Sequence, residues 1–204
     1  NPPRIQNDET LYSYLARCHF LWGQTNPRLT SLDWFGRKGV CLNQCLPLEV
    51  NNIAMHSNYP AAYLLSKHTF LPLFEAFAGD SSSVRQGMLG NHGKALANAS
   101  GVPQLSRAEL MYSKICPICF AMDVEKIGVG YWHLMHQFPG LKCCHLHGCC
   151  LVERKVNPRG YELPELSMSE KARQSPEMQK TFAKYVASIS IWAAAGHPID
   201  VPLV

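Results

Sequence analysis

Charge is scarce in this chain, and it leans only slightly one way. Of 204 residues, 17% are charged, and the formal net charge is +4. Residues 1–112 carry nine Lys and Arg against seven Asp and Glu, and residues 113–204 carry ten against eight. The surplus is two in each part, so no basic half is set aside for nucleic acid. An excess this mild permits phosphate contact without predicting it. Long apolar runs are also missing. No stretch of 18 apolar residues occurs, which leaves no candidate membrane-spanning helix. The opening Asn1-Pro2-Pro3-Arg4 lacks the apolar core of a secretory leader, and a start at Asn rather than Met reads as a trimmed one.

Catalytic signatures are absent as well. The glycines from Gly87 to Gly93 do not form G-x-x-x-x-G-K-[ST], so no phosphate loop and no ATPase is expected. His133 and His136 have H-x-x-H spacing, but without the H-E-x-x-H of a zincin. They read as packed, hydrogen-bonded histidines on a short helix, Tyr131 to Gln137, and not as metal ligands. No Ser or Cys nucleophile sits in a known motif. The basic loop Arg154, Lys155 and Arg159 reads as solvated more readily than as a phosphate contact.

What the chain does have is apolar material, 47% of residues, enough for a real core. Its length suits one large domain or two small ones. Leu11, Leu15, Cys18 and Trp22 lie on one helical face, and Gly23 ends that helix. Asn26 caps a second helix, with Pro27 at its first position; it carries Leu29, Leu32 and Phe35, and Gly36 closes it. A third is expected from Pro47, with Val50 and Ile53 inward. Three short helices with tight turns permit a helix-turn-helix over residues 8–58; an ordinary small bundle fits equally well. From Tyr59 to Phe77 the chain is rich in aromatics, and Pro72 should break the helix there. Gly79-Asp80-Ser81-Ser82-Ser83 marks a loop, and Val84 to Ala99 is weakly helical. The clearest helix comes last. Ser175 caps it, Pro176 takes its first position, and Gly196 and Pro198 stop it. Met178, Phe182, Tyr185, Val186, Ile189, Trp192 and Ala193 form a stripe expected to face the core.

The cysteines carry the strongest signal. Nine is an odd number, and the adjacent pairs Cys143-Cys144 and Cys149-Cys150 do not suggest a disulfide framework. Reduced thiols with a metal fit better. Cys116-Pro117-Ile118-Cys119 is a C-x-x-C knuckle and Cys144-His145-Leu146-His147 a C-x-x-H knuckle, with 24 residues between them. Two residues three apart on a tight turn can aim both donors at one point. Two facing knuckles then make a closed tetrahedral zinc site. Cys116, Cys119, Cys144 and His147 are the expected ligands of one structural Zn2+. Cys143 in place of Cys144, or His145 in place of His147, stays open at this stage. Cys149 and Cys150 read as packing residues. Asp123 and Glu125 lie near in sequence, but four protein ligands leave no room for the water that zinc hydrolysis needs.

The fold expected is mainly α with a small zinc-ribbon or zinc-finger module. Residues 1–111 form a helical N-terminal subdomain, 112–152 the zinc module, and 153–204 a loop and an amphipathic helix packed on the rest.

These residues also carry a resemblance. Cys116-Pro117-x-Cys119, Asp123, Gly130-Tyr131-Trp132, His136-Gln137-x-Pro139-Gly140, Cys144-x-x-His147-Gly148 and Leu151 closely resemble the TniQ family. Asp8-Glu9-Thr10-Leu11-Tyr12-Ser13-Tyr14-Leu15-Ala16-Arg17 resembles its opening helix. His68-Thr69-Phe70-Leu71-Pro72-Leu73-Phe74 with Phe77-x-Gly79 resembles the TnsD branch. The similarity runs from about residue 3 to 151. It departs from the family where many relatives have proline and this chain has His145, and where some have a further cysteine knuckle. The resemblance implies a bacterial, cytoplasmic, nucleoid-associated adaptor for transposition, with no enzymatic activity. Such adaptors recognise target DNA or an RNA-guided complex and recruit a TnsC-like AAA+ regulator ATPase. Much of the site-specific DNA binding is implied to lie in a C-terminal part beyond this length. The alternative is a stand-alone zinc-ribbon or helix-turn-helix DNA-binding regulator.

Overall fold

The computed structural model describes residues 1–77, 82–90, 111–167 and 169–197. In chain order the helices are α1 (Leu11–Leu21), α2 (Pro27–Phe35), α3 (Val50–Ser57), α4 (Ala61–Lys67), α5 (Leu71–Phe77) and α6 (Ser82–Leu89). Strand β1 (Tyr112–Ile115), α7 (Pro117–Ile127), a 3-10 turn (Met135–Gln137), β2 (Val152–Lys155) and α8 (Glu177–Ala194) follow. Among the described residues the fold is mainly α, with one two-stranded antiparallel sheet that pairs Tyr112 with Lys155 and Ile115 with Val152. No helix among the described residues is long and apolar enough to cross a membrane.

Local signals set the helix ends. Thr10 caps α1 by accepting from the Ser13 amide, and Asn26 caps α2 by accepting from the Arg28 amide. Gly36 closes α2 in the left-handed region, at φ 66°. The break expected at Pro72 falls just before it: α4 ends at Lys67, and Pro72 sits in the first turn of α5, where its missing N–H costs nothing. The expected loop from Gly79 to Ser83 lies outside the described residues up to Ser81; α6 then takes Ser82 and Ser83. The weak helix expected over Val84 to Ala99 is seen to Leu89, and its remainder past Gly90 lies outside the described residues.

Inward faces follow tertiary partners instead. Leu11, Leu15 and Cys18 of α1 are fully buried, but Trp22 is half exposed and stacks on Trp34. On α2 Leu29 and Leu32 point out, while Thr30, Ser31, Trp34 and Phe35 are buried. The reason is polar. Thr30 Oγ1 lies 2.6 Å from His19 Nδ1, and Ser31 Oγ lies 2.9 Å from Tyr161 Oη. These bonds select the face that Leu29 and Leu32 do not share. α3 starts at Val50, not Pro47, and buries Val50 and Ile53 as expected.

Of the stripe expected to face the core on the last helix, Val186 and Ala193 are buried and Ile189 is half buried, while the bulkier members lie outside. Its buried residues are Ala183, Val186, Ala187, Ser190 and Ala193. Met178 is 84% exposed and Tyr185 61%, with Phe182 and Trp192 also on the surface. Small side chains let the helix axis approach α5 and the Leu141–Cys143 segment closely. The bulky stripe therefore has no room on that side. Pro176, not Ser175, occupies the cap position, and Ser175 Oγ bonds Gln179 Oε1 instead. Gly196, at φ 79°, follows the helix end as expected.

One hydrophobic core joins distant parts of the chain. Leu11, Tyr12, Leu15, Trp34, Ile53, Leu64 and Met88 pack in the same cluster as Ile115, Trp132, Val156 and Tyr161.

Candidate metal centre

β1 leads straight into the first knuckle. Cys116 follows the strand and caps α7, its sulfur accepting from the Cys119 amide. This bond turns the chain so that Cys119, one helical turn on, points its sulfur to the same side. The second knuckle is a tight turn closed by Gly148 N donating to Cys144 O and Cys144 N donating to Cys149 O, both 2.9 Å. Cys116, Cys119, Cys144 and His147 come together, with their donor atoms all within 4.8 Å of one another. The three cysteines are buried and His147 is half buried.

The spacing fits a tetrahedral ion. Bonds of about 2.3 Å to sulfur and 2.0 Å to nitrogen imply tetrahedral edges of roughly 3.8 Å between sulfurs and 3.5 Å between sulfur and nitrogen. Cys119 Sγ and Cys144 Sγ are 3.8 Å apart. His147 Nδ1 lies 3.5 Å from Cys116 Sγ, 3.3 Å from Cys119 Sγ and 3.6 Å from Cys144 Sγ. This buried Cys3His set could hold a metal ion.

Neither alternative left open by the sequence is among the four converging donors. Cys143 faces away from the cluster and packs with Leu141 and Ala183. His145 lies half buried on the wall of a cleft of about 930 Å3, which Cys119 and His147 also line. Cys150 turns toward Ser175, 3.3 Å from its hydroxyl. Cys149, expected only to pack, is fully buried with its sulfur 3.3 Å from that of Cys116.

Around the cluster runs a polar framework that spacing alone does not reveal. The expected helix from Tyr131 to Gln137 is only a 3-10 turn at its end. The residues before it pair with the N-terminal segment instead: Glu9 and His133 form an antiparallel bridge, and Thr10 N donates to Trp132 O. His133 lies between two carboxylates, with Nε2 2.9 Å from Asp123 Oδ2 and Nδ1 3.4 Å from Asp8 Oδ2. Burial alone would depress its pKa; the bonds to Asp123 and Asp8 outweigh that and push it up to about 9. Burial, and then the charge on His133, hold the pKa of His136 well below the usual value. Its Nε2 lies 3.8 Å from Cys119 Sγ.

Gln137 completes the sheet edge from a side chain. It donates to the carbonyls of Lys114 and His133 and accepts from the Lys114 amide, at 2.8–2.9 Å. Trp132 is buried and its indole donates to Glu162 O at 2.8 Å. A Cβ on Gly130 would sit 2.3 Å from the Phe120 ring, so only glycine fits that approach. Glu9 and Arg17, both buried, form a two-pronged ion pair at 2.8 Å. The residues of the resembling motifs thus do structural work around the metal centre.

Residues 2–151 match the TniQ family. The chain belongs to that family. It is also 24% identical over 205 residues to the transposon Tn7 transposition protein TnsD of Escherichia coli. The alignment covers 93% of this chain and 39% of that protein, so the TniQ-family chain spans well under half of this relative's length.

Proposed function

We propose that the chain is a target-site selection adaptor in DNA transposition, which docks at target DNA and recruits its element's TnsC-like AAA+ ATPase. The observation that carries this reading is the family match, which takes in both the opening helix and the two knuckles. The similarity to a protein named for transposition supports it. In this reading Cys116, Cys119, Cys144 and His147 hold one structural Zn2+. Four protein donors leave no open coordination position, so the ion braces a surface and catalyses nothing. The division into residues 1–111, 112–152 and 153–204, with target contact through a helix-turn-helix in 8–58, belongs to the same proposal. So does a place in the bacterial cytoplasm at the nucleoid. An RNA-guided complex could present the target in place of a chromosomal site.

The near-balanced charge supports an adaptor over a regulator that grips DNA unaided. The test sets a pull-down on the immobilised ATPase, with and without target DNA, beside fluorescence anisotropy on DNA. The chain should bind the ATPase more tightly than random duplex at physiological salt. Nanomolar, sequence-specific DNA binding with no ATPase interaction would replace the adaptor with a stand-alone regulator.

A further inference from the structure

The cluster holds one sulfur more than a tetrahedral ion can use. Cys149 Sγ lies 3.3 Å from Cys116 Sγ, and it is not among the four donors that converge. Two thiolates bound to one ion keep roughly the 3.8 Å edge described above. Two unbridged thiolates would repel at any such distance. At 3.3 Å the two sulfurs are in hydrogen-bond contact, and either could be the donor. If Cys116 is a metal-bound thiolate, the proton belongs to Cys149.

The backbone fixes this contact. Cys149 closes the turn that presents Cys144 and His147, through its carbonyl and the Cys144 amide. On its other side it bridges Gln174. Its neighbour Cys150 is held by the Arg173 carbonyl at 2.8 Å, and Leu151 by the Lys142 carbonyl at 2.9 Å. The side chain has no solvent exposure, so water cannot supply a donor in its place.

We infer that Cys149 is a positioning residue of the metal centre, a thiol that donates its S–H to the Cys116 thiolate and tunes its bond to the ion. The inference rests on the zinc-centre reading. A hydrogen bond to a ligand withdraws charge from the sulfur and holds it in one orientation. Such outer partners are worth about 10–100-fold in metal affinity. An apolar packing residue would do neither.

The test uses the 204-residue chain loaded with Zn2+ for chelator competition and with Co2+ for absorption spectroscopy. Cys149→Val keeps the volume and removes the donor. It should weaken the metal about 10–100-fold and move the sulfur-to-cobalt charge-transfer band to lower energy, with three-thiolate intensity unchanged. Cys149→Ser restores a donor and should recover most of both. If Cys149→Val does not fold, Cys149→Ala set against Cys149→Ser makes the same comparison. Unchanged affinity and band position in the apolar variant would make Cys149 a packing residue. Loss of one thiolate's share of the intensity would make it a ligand, and a Ser variant no better than Val would remove the hydrogen bond as the cause. A wild-type chain that takes up no metal overturns the zinc centre together with this inference.

Discussion

The metal module and the last helix are neighbours held by opposite means. In the module a few directional contacts carry the structure: four converging donors, the carboxylate clamp on His133 and the Gln137 bridge to Lys114. In α8 close approach of small side chains does the holding: Ala183, Ala187 and Ala193 are buried. The first kind of region fails when one atom is lost. The second fails when an atom is added.

The largest effect is expected from Cys119→Ser. Structural zinc contributes on the order of 10 kcal/mol to segments of this kind, so the change should unfold residues from about Tyr112 to Leu151. Elemental analysis and circular dichroism before and after chelation measure it. A variant that stays folded without metal would show that the apolar core, not the ion, holds the module.

A smaller loss is expected from raising the pH. The folded pKa of His133, about 9, lies above its ordinary 6.5. The stabilisation is therefore complete below about pH 6.5 and is lost as the pH climbs through 9. A shift of this size is worth about 3 kcal/mol. Denaturant midpoints should fall over that window, and Asp123→Asn should flatten the fall. An equally steep decline in Asp123→Asn would assign it to another group.

The contrast within α8 gives the smallest effects. Ala187→Leu should cost about 1–3 kcal/mol by overpacking the inner face, whereas Tyr185→Ser on the outer face should stay within about 0.5 kcal/mol. Thermal unfolding of the two variants compares them directly. The reverse order would restore the bulky stripe to the core.

The same contrast explains what the sequence could reveal. Knuckles and helix ends are local: Asn26, Gly36 and Cys116 do their work within four residues, so spacing and residue type suffice. An inward face is a matter of partners. On α2 Leu29 and Leu32 lie outside and Thr30 and Ser31 inside, because the partners of the latter two, His19 and Tyr161, lie elsewhere in the chain. On α8 hydrophobicity pointed to the bulky stripe, and the narrow gap beside α5 selected the alanines. The role of Cys149 was hidden for a similar reason, since its contact with Cys116 crosses between the knuckles. A signal for His133 was present in the resembling motifs, which include Asp8 and Asp123, but nothing local says that both meet one imidazole.

The bridge between Glu9 and His133 has a consequence for how the chain comes into being. Synthesis delivers the N-terminal segment first and its partners much later. While the ribosome works through the intervening residues, α1 has emerged without the Trp132 carbonyl that takes the Thr10 amide and without the Trp132 side chain that fills its core. Domains of this kind complete as units, so the nascent helices wait with an open edge until the Cys116–His147 stretch arrives to close it. A chain arrested before that stretch would expose apolar surface that the finished protein never shows, and would be a natural client for chaperones.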